Sequence, residues 1–338
     1  MLCAGCWGSS DEQDGSVARA NADPNPGANV EDRPIVIGYS NWAGWWPWYI
    51  AEKEGYFEKY GLDVEMRWYD NYLESMEAFA AGEIDGNAQT LNDTVSFAPN
   101  AVNGEVAVLV NDNSAGDDKI IVTAEIQSMQ DLVGKKIGLE EGVVEDFLLT
   151  LALLEAGLSR ADVEIVNMET GAAAAAFVAG EVDGVGAFPP FWATALERDG
   201  SHELISSANY PGAIPDLLVV SQTLIDKRPE DVQKLIEVWF DVLGFMKVDS
   251  KRSEALMAER AGVSIDEVQI FEGGVRLFSI KDNLNAFAPG DGMTHLAFAA
   301  NQMAQFMVGV GLIPAAPADF STLFDDRFVK AYSDSLAH

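Results

Sequence analysis

Cysteine is nearly missing from this 338-residue chain: the two present, Cys3 and Cys6, both fall within the first six residues. The remainder can hold neither a disulfide framework nor a thiolate metal centre. Histidine is as scarce, with only His202, His295 and His338, which argues against a histidine-built metal or acid–base site. No run of 18 apolar residues occurs, so no segment reads as a membrane-spanning helix. Positive charge is short, with 21 Lys and Arg against 54 Asp and Glu, a net of −33. Such a chain is not built to grip nucleic acid, whose phosphates call for a basic surplus, nor to dock on anionic lipid through a basic patch. The acidic field either gathers cations or reflects a saline medium. The G-x-S-x-G elbow, the Walker lysine loop and H-E-x-x-H are absent too, so the chain does not read as an enzyme and calls for no cofactor and no metal.

What is there is ample apolar content, 48% of residues, and a length that suits two lobes. The start, Ala4-Gly5-Cys6, resembles the end of a bacterial lipoprotein signal, with Cys6 as the lipid anchor, although Cys3 stands where an aliphatic residue is usual. The other reading is an incidental Cys pair. Gly8 to Asp32 is Ser, Gly, Asp, Asn, Pro and Ala with almost no large apolar residue, and such a segment buries too little to offset its ordering entropy. Residues 1–33 are therefore expected to be a signal remnant and flexible tether.

From residue 34 the pattern is α/β. Ile35–Tyr39 is a β-branched run, Leu62–Met66 alternates as a strand, and Tyr72–Ala81 is helical with Gly82 as its cap. Ala78-Phe79-Ala80-Ala81-Gly82-Glu83-Ile84-Asp85-Gly86 recurs 98 residues later as Ala176-Phe177-Val178-Ala179-Gly180-Glu181-Val182-Asp183-Gly184. At that spacing the repeat is domain-sized and predicts two similar lobes. Lys119–Val122 and Leu217–Val220 read as crossover strands. The expected division is 34–122 with 217–338 for a discontinuous first lobe and 123–216 for the second, joined by a hinge suited to closing on a ligand.

Ligands of open α/β sheets sit beyond the carboxyl ends of strands, so the segments after each strand supply the candidates. Ser40 opens a loop carrying Trp42, Trp45, Trp46 and Trp48; these rings either pack the lobe or wall the cleft as apolar or cation–π faces. Gln89, Thr90 and Asp93 follow the third strand, either as a helix cap or as ligand contacts. Asp112 follows the Val106–Val110 strand. In the second lobe Glu141 and Glu145 flank a helix start, where carboxylates are also favoured by the helix dipole. Phe188 follows the next strand and Asp216 borders the return crossover. The loops hold rings, amides and carboxylates but no Arg, Lys or His, which suits a small cation better than an anion.

Several stretches resemble a known family. Ile37-Gly38-Tyr39-Ser40, Gly44-Trp45-Trp46-Pro47 and Glu54-Gly55-Tyr56-Phe57-Glu58-Lys59-Tyr60-Gly61-Leu62-Asp63-Val64-Glu65 are similar to periplasmic solute-binding proteins of ABC importers. Asp131-Leu132-Val133-Gly134-Lys135-Lys136-Ile137-Gly138 and both repeat copies continue the match across roughly residues 34–335. The group is the one that takes nitrate, aliphatic sulfonates, taurine, bicarbonate and thiamine precursors. The resemblance implies a type II periplasmic-binding-protein fold, α/β with two crossover strands forming a hinge. It also implies a monomer that hands a small solute to a membrane permease and its ATPase, located in the periplasm or on the outer face of the cytoplasmic membrane. The nitrate and bicarbonate binders place His or Lys at the anion, and the matching loops here have neither. A planar cation such as guanidinium is the expected ligand; a small anion (sulfonate, taurine, nitrate or bicarbonate) is the alternative. A thiamine-precursor binder or pyrimidine-synthase-like enzyme ranks behind both, since that enzyme uses an active-site His and a Cys-rich motif.

Overall fold

The computed structural model describes Val30, residues 33–317 and residues 319–336. Cys6 and, Val30 apart, the tether to residue 32 lie outside the described residues. Two mixed sheets, of six and five strands, make two lobes.

Each lobe is built on the same parallel trio. In the first, β1 (Ile35–Tyr39) lies between β2 (Val64–Trp68) and β3 (Gly86–Thr90). All five β1 residues are buried, as expected of a central parallel strand covered on both faces. Helices α1 (Pro47–Lys53) and α2 (Tyr56–Lys59) lead to β2, α3 (Tyr72–Ala80) joins β2 to β3, and α4 (Leu91–Phe97) follows. In the second lobe β6 (Lys136–Leu139) lies between β7 (Glu164–Asn167) and β8 (Gly184–Ala187). There α5 (Val144–Glu155) and α6 (Thr170–Ala179) occupy the equivalent places, and α7 (Phe191–Ala195) follows β8.

The sequence repeat has one physical meaning in both lobes. Gly82 and Gly180 end α3 and α6 in the left-handed conformation, at φ 77° and 80°, where a side chain would be strained. Three residues on, Asp85 accepts the Val36 N–H at 2.9 Å and Asp183 accepts the Lys136 N–H at 2.9 Å. The motif therefore closes a helix and then ties the next strand to the central one.

Antiparallel strands complete the sheets. β4 (Val106–Ser114), β10 (Pro215–Val220) and β11 (Val275–Leu277) extend the first, and β5 (Lys119–Val122) with β9 (His202–Ser206) extends the second. This corrects the expected boundary. Lys119–Val122 pairs with β8 and β9, so the chain changes sheets between Ser114 and Lys119 rather than after residue 122. It returns between Ser206 and Pro215. Asn111–Ser114, expected as loop, prolongs β4 because β10 and β11 pair with it there. At the two crossings Ser114 Oγ and Ser207 Oγ are 2.6 Å apart, and the Ser207 hydroxyl also accepts the Gly116 N–H at 2.8 Å.

The helices from Gln222 to Ser335 pack on the first lobe; Trp239 meets Trp48 at 4.8 Å between ring centroids. Aromatic contacts also cross between lobes. Tyr72 meets Phe188 edge-on at 6.5 Å, Trp192 meets Phe271 at 5.3 Å, and Phe147 meets Phe306 at 5.7 Å. The cleft is closed.

Candidate functional site

A cavity of ~10 Å³ lies between the lobes, beside the crossings. Room for a water takes about 10–15 Å³ on this measure, so the closed cleft holds about one water at most and has to open to admit any solute. From the first lobe, Ser40, Trp42, Trp45, Tyr72, Thr90 and Asp216 line it; Asp118, Val144 and Phe188 complete the wall. Trp45 packs on Tyr72 at 5.4 Å and on Trp42 at 6.3 Å, a corner of flat apolar faces.

Two carboxyl groups, Asp118 and Asp216, line the cavity, and Asp112 and Glu145 lie beside them. Asp112 on β4 and Asp216 on β10 face each other directly across an antiparallel pair, a register in which like charges are destabilising. Asp118 immediately precedes β5, and Glu145 sits in the first turn of α5. All four are 2% exposed or less. Asp112 Oδ2, Asp216 Oδ2, Asp118 Oδ2 and both Glu145 carboxylate oxygens meet no donor among the described residues other than one another; Asp112 with Asp216, and Asp118 with Glu145, are within hydrogen-bond reach, where one proton can be shared. Trp42 Nε1 donates to Asp112 Oδ1 at 3.1 Å. Just behind, Asp93 is saturated: Tyr72, Thr90 and Asn92 donate to it at 3.0, 2.7 and 2.8 Å.

Burial is the main cause of raised carboxyl pKa values here. It lifts Asp216 well above its usual range, with the charges of Asp112 and Asp118 adding to it. Burial raises Asp112 against the hydrogen bond from Trp42, and Asp118 against that from Ser114. Glu145 is raised by burial first and then by Asp118 and Glu140. Asp93 is pushed up to about 7 by burial, against its hydrogen bonds from Thr90 and Tyr72. Two unit charges ~4 Å apart repel by about 4 kcal/mol at an effective dielectric of about 20. Ionising several of these acids without a counter-charge therefore weakens the empty closed state.

Among the described residues, no Arg, Lys or His lines the cavity. The nearest ammonium in the hinge region, Lys119, is held by Glu203 at 2.6 Å and lies 4.9 Å over the Trp192 ring. Backbone shape protects the acids: a Cβ on Gly44 would fall 2.0 Å from Asp112 Oδ2, and one on Gly186 would fall 2.7 Å from Glu145 Cβ.

Nine of the twelve expected residues come together: Ser40, Trp42, Trp45, Thr90, Phe188 and Asp216 in the wall, with Asp93, Asp112 and Glu145 against it. Three do not. Trp46 turns into the core against Phe271 at 6.2 Å, its Nε1 donating to Asn41, because neighbouring residues of a helical turn point in different directions. Gln89 faces away from the cavity by strand alternation and donates to Thr94 and Glu105. Glu141 is exposed and pairs with Arg160 at 2.7 Å. Sequence reasoning missed Tyr72, Asp118 and Val144. A larger hollow of ~400 Å³ behind the crossings has Arg276 in its wall, already paired with Asp282 at 2.6 Å, and offers no unpartnered charge.

A model of the NMT1-like family matches residues 28–261. A putative binding protein of Brucella abortus is 28% identical over 237 residues, covering 69% of this chain and 73% of its own. The taurine-binding periplasmic protein of Escherichia coli is 27% identical over 306 residues, covering 88% and 92%. The alkanesulfonate-binding protein of Xanthomonas axonopodis pv. citri, solved with MOPS bound, superposes with a TM-score of 0.72 at 17% identity, covering 88% of this chain and 100% of that one. That likeness is one of fold.

Proposed function

Since this chain belongs to the NMT1-like family, we propose that it is the substrate-binding component of an ABC importer, capturing a small solute between its lobes for a membrane permease. The relatives from Brucella abortus and Escherichia coli named above carry the names of binding proteins. The lobes, 33–114 with 215–336 and 119–206, turn about the crossings and close on the solute. The protein works as a monomer at the outer face of the cytoplasmic membrane, held by a lipid on Cys6.

The solute is a small planar cation, guanidinium being the best fit. One observation carries this: Asp112, Asp118, Glu145 and Asp216 are buried around the cavity with acceptor oxygens that meet no donor among the described residues other than one another, and no cationic side chain lines the cavity beside them. Unpaired buried carboxylates are costly, and a guanidinium ion brings N–H donors on every edge in the fork geometry that carboxylates accept. Its faces suit the indoles of Trp42 and Trp45. A quaternary ammonium would fill an aromatic corner but donate nothing to the acids. With four heavy atoms at about −1.5 kcal/mol each, the expected affinity is in the tens of micromolar.

The second reading is taurine or another sulfonate. It draws on the named relatives and on the start of α5, where Val143 caps no N–H with its side chain and an anion is favoured. It must seat a sulfonate among buried carboxyls. Calorimetric titration with guanidinium, taurine and nitrate in parallel separates the readings. Micromolar heat from guanidinium alone, with no turnover, supports the first; micromolar heat from an anion and none from ~1 mM guanidinium overturns it.

A further inference from the structure

The acids of this site come from both lobes, and that placement bears on how the cleft closes. On the first-lobe side stand Asp112, Asp216 and Asp93, with the Tyr72 phenol. Asp118 stands at the crossing. On the second-lobe side stand Glu145 and Glu140; Glu140 is 3% exposed and accepts from the Thr170 N–H and hydroxyl at 3.1 and 3.3 Å, leaving Oε2 without a donor. Behind the crossing, buried Asp117 also has an unmet oxygen. Lys119 is the one cation nearby that acts on Asp117 and Asp118, and Glu203 already holds it. Asp118 and Asp216 line the ~10 Å³ cavity; Glu145 lies close enough to Asp118 and Glu140, and Glu140 to Asp93, for their charges to act on one another.

Resting on the cation reading above, we propose that closure itself is charge-gated: Glu145 and Glu140 of the second lobe repel the acids of the first while these groups are ionised, so the empty lobes stay apart. A cation between them, or protons at acidic pH, removes the repulsion and lets the aromatic contacts Tyr72–Phe188 and Trp192–Phe271 form. Discrimination between guanidinium and urea, which is nearly the same shape and neutral, then arises at the closing step. A neutral guest can enter the open cleft and still leaves the lobes unable to shut. Because the facing groups are buried, the gate operates at physiological salt, where exposed charges are screened. Burial raises Asp112 and Glu140 to about 7, and raises Glu145 with Asp118 and Glu140 adding to it.

The test is small-angle scattering of the full chain without ligand across pH 5–8 at 0.15 M salt, with circular dichroism to verify that it stays folded. The expected result is a compact particle at pH 5 and an extended one at pH 8, recompacted at pH 8 by guanidinium but not by urea. In Glu145→Gln the compact form persists without ligand to a pH at least about one unit higher. Guanidinium binding is about tenfold tighter at pH 8 than at pH 5. A ligand-free radius of gyration that is the same at both pH values in folded wild-type protein overturns the gate, even where guanidinium binds. Acid compaction without guanidinium binding keeps the gate and overturns the ligand assignment.

Discussion

Two sets of buried acids occupy this molecule, and they differ in what answers their charge. At the far ends of the strands, Asp85 is gripped by both Arg33 guanidinium nitrogens at 2.6 and 2.7 Å and by the Val36 N–H. Asp146, fully buried in α5, is gripped by Arg160 at 2.8 Å. At the cleft, Asp112, Asp216, Asp118 and Glu145 are as deeply buried, and among the described residues no guanidinium meets them. Asp85 and Asp146 are thus answered by arginines within the fold. On the cation reading proposed above, the solute is what answers the cleft acids.

The sharpest way to break this contrast is to remove charge from each set in turn. Asp216→Asn lowers guanidinium affinity about 100-fold, the loss of a charge-assisted hydrogen bond and its ion pair, yet raises the ligand-free melting temperature by a few degrees because a buried like-charge pair is gone. Titration calorimetry and a thermal melt of the same sample check both signs. Asp85→Asn does the reverse. It costs about 2 kcal/mol in urea unfolding by stranding Arg33, partly offset by the solvent that reaches Arg33, and leaves guanidinium binding unchanged.

Acidity sharpens the contrast further. Burial holds Asp93 up at about 7 and Glu105 at about 8, against ~4 for carboxyls of the unfolded chain. The folded protein keeps protons there that the unfolded chain has released, so ligand-free stability is full below pH ~4 and falls as pH rises through 7 to 8. Melting curves at pH 5 and pH 8 show a drop of a few degrees without ligand, and guanidinium restores more at pH 8 than at pH 5. Gly44→Ala drives a methyl into Asp112 and weakens guanidinium binding about tenfold, with the circular dichroism spectrum unchanged. Glu141→Gln is the smallest change: an exposed ion pair contributes at most about 1 kcal/mol, and guanidinium affinity shifts less than about twofold.

The duplicated α/β lobes were legible because a helix cap and a strand tie need the same residues, Gly then Asp, in both copies. The site was legible where strands run parallel and their carboxyl ends point to the cleft, as at Ser40, Thr90 and Phe188. The rule of reading onward from a strand's end fails for antiparallel crossover strands. There the cleft lies at the start, which is why Asp118 before β5 was passed over, and why β5 was assigned to the wrong lobe. Trp46 and Gln89 show a finer limit. Their neighbours Trp45 and Thr90 face the cavity, and one residue of rotation or alternation decides which of two adjacent side chains does so.

The hydroxyl contact between Ser114 and Ser207 makes a single joint of what would otherwise be two separate bends. Parts near a pivot travel least, and the Asp118 N–H is itself tied to the Ser114 hydroxyl at 3.3 Å. Asp118 therefore keeps its place near Asp112 and Asp216 while the lobes swing, and Phe188 and Glu145 do the travelling. An arriving solute meets a landing with three acids already assembled and a door carrying the fourth, so arrival and locking are two events with separate clocks.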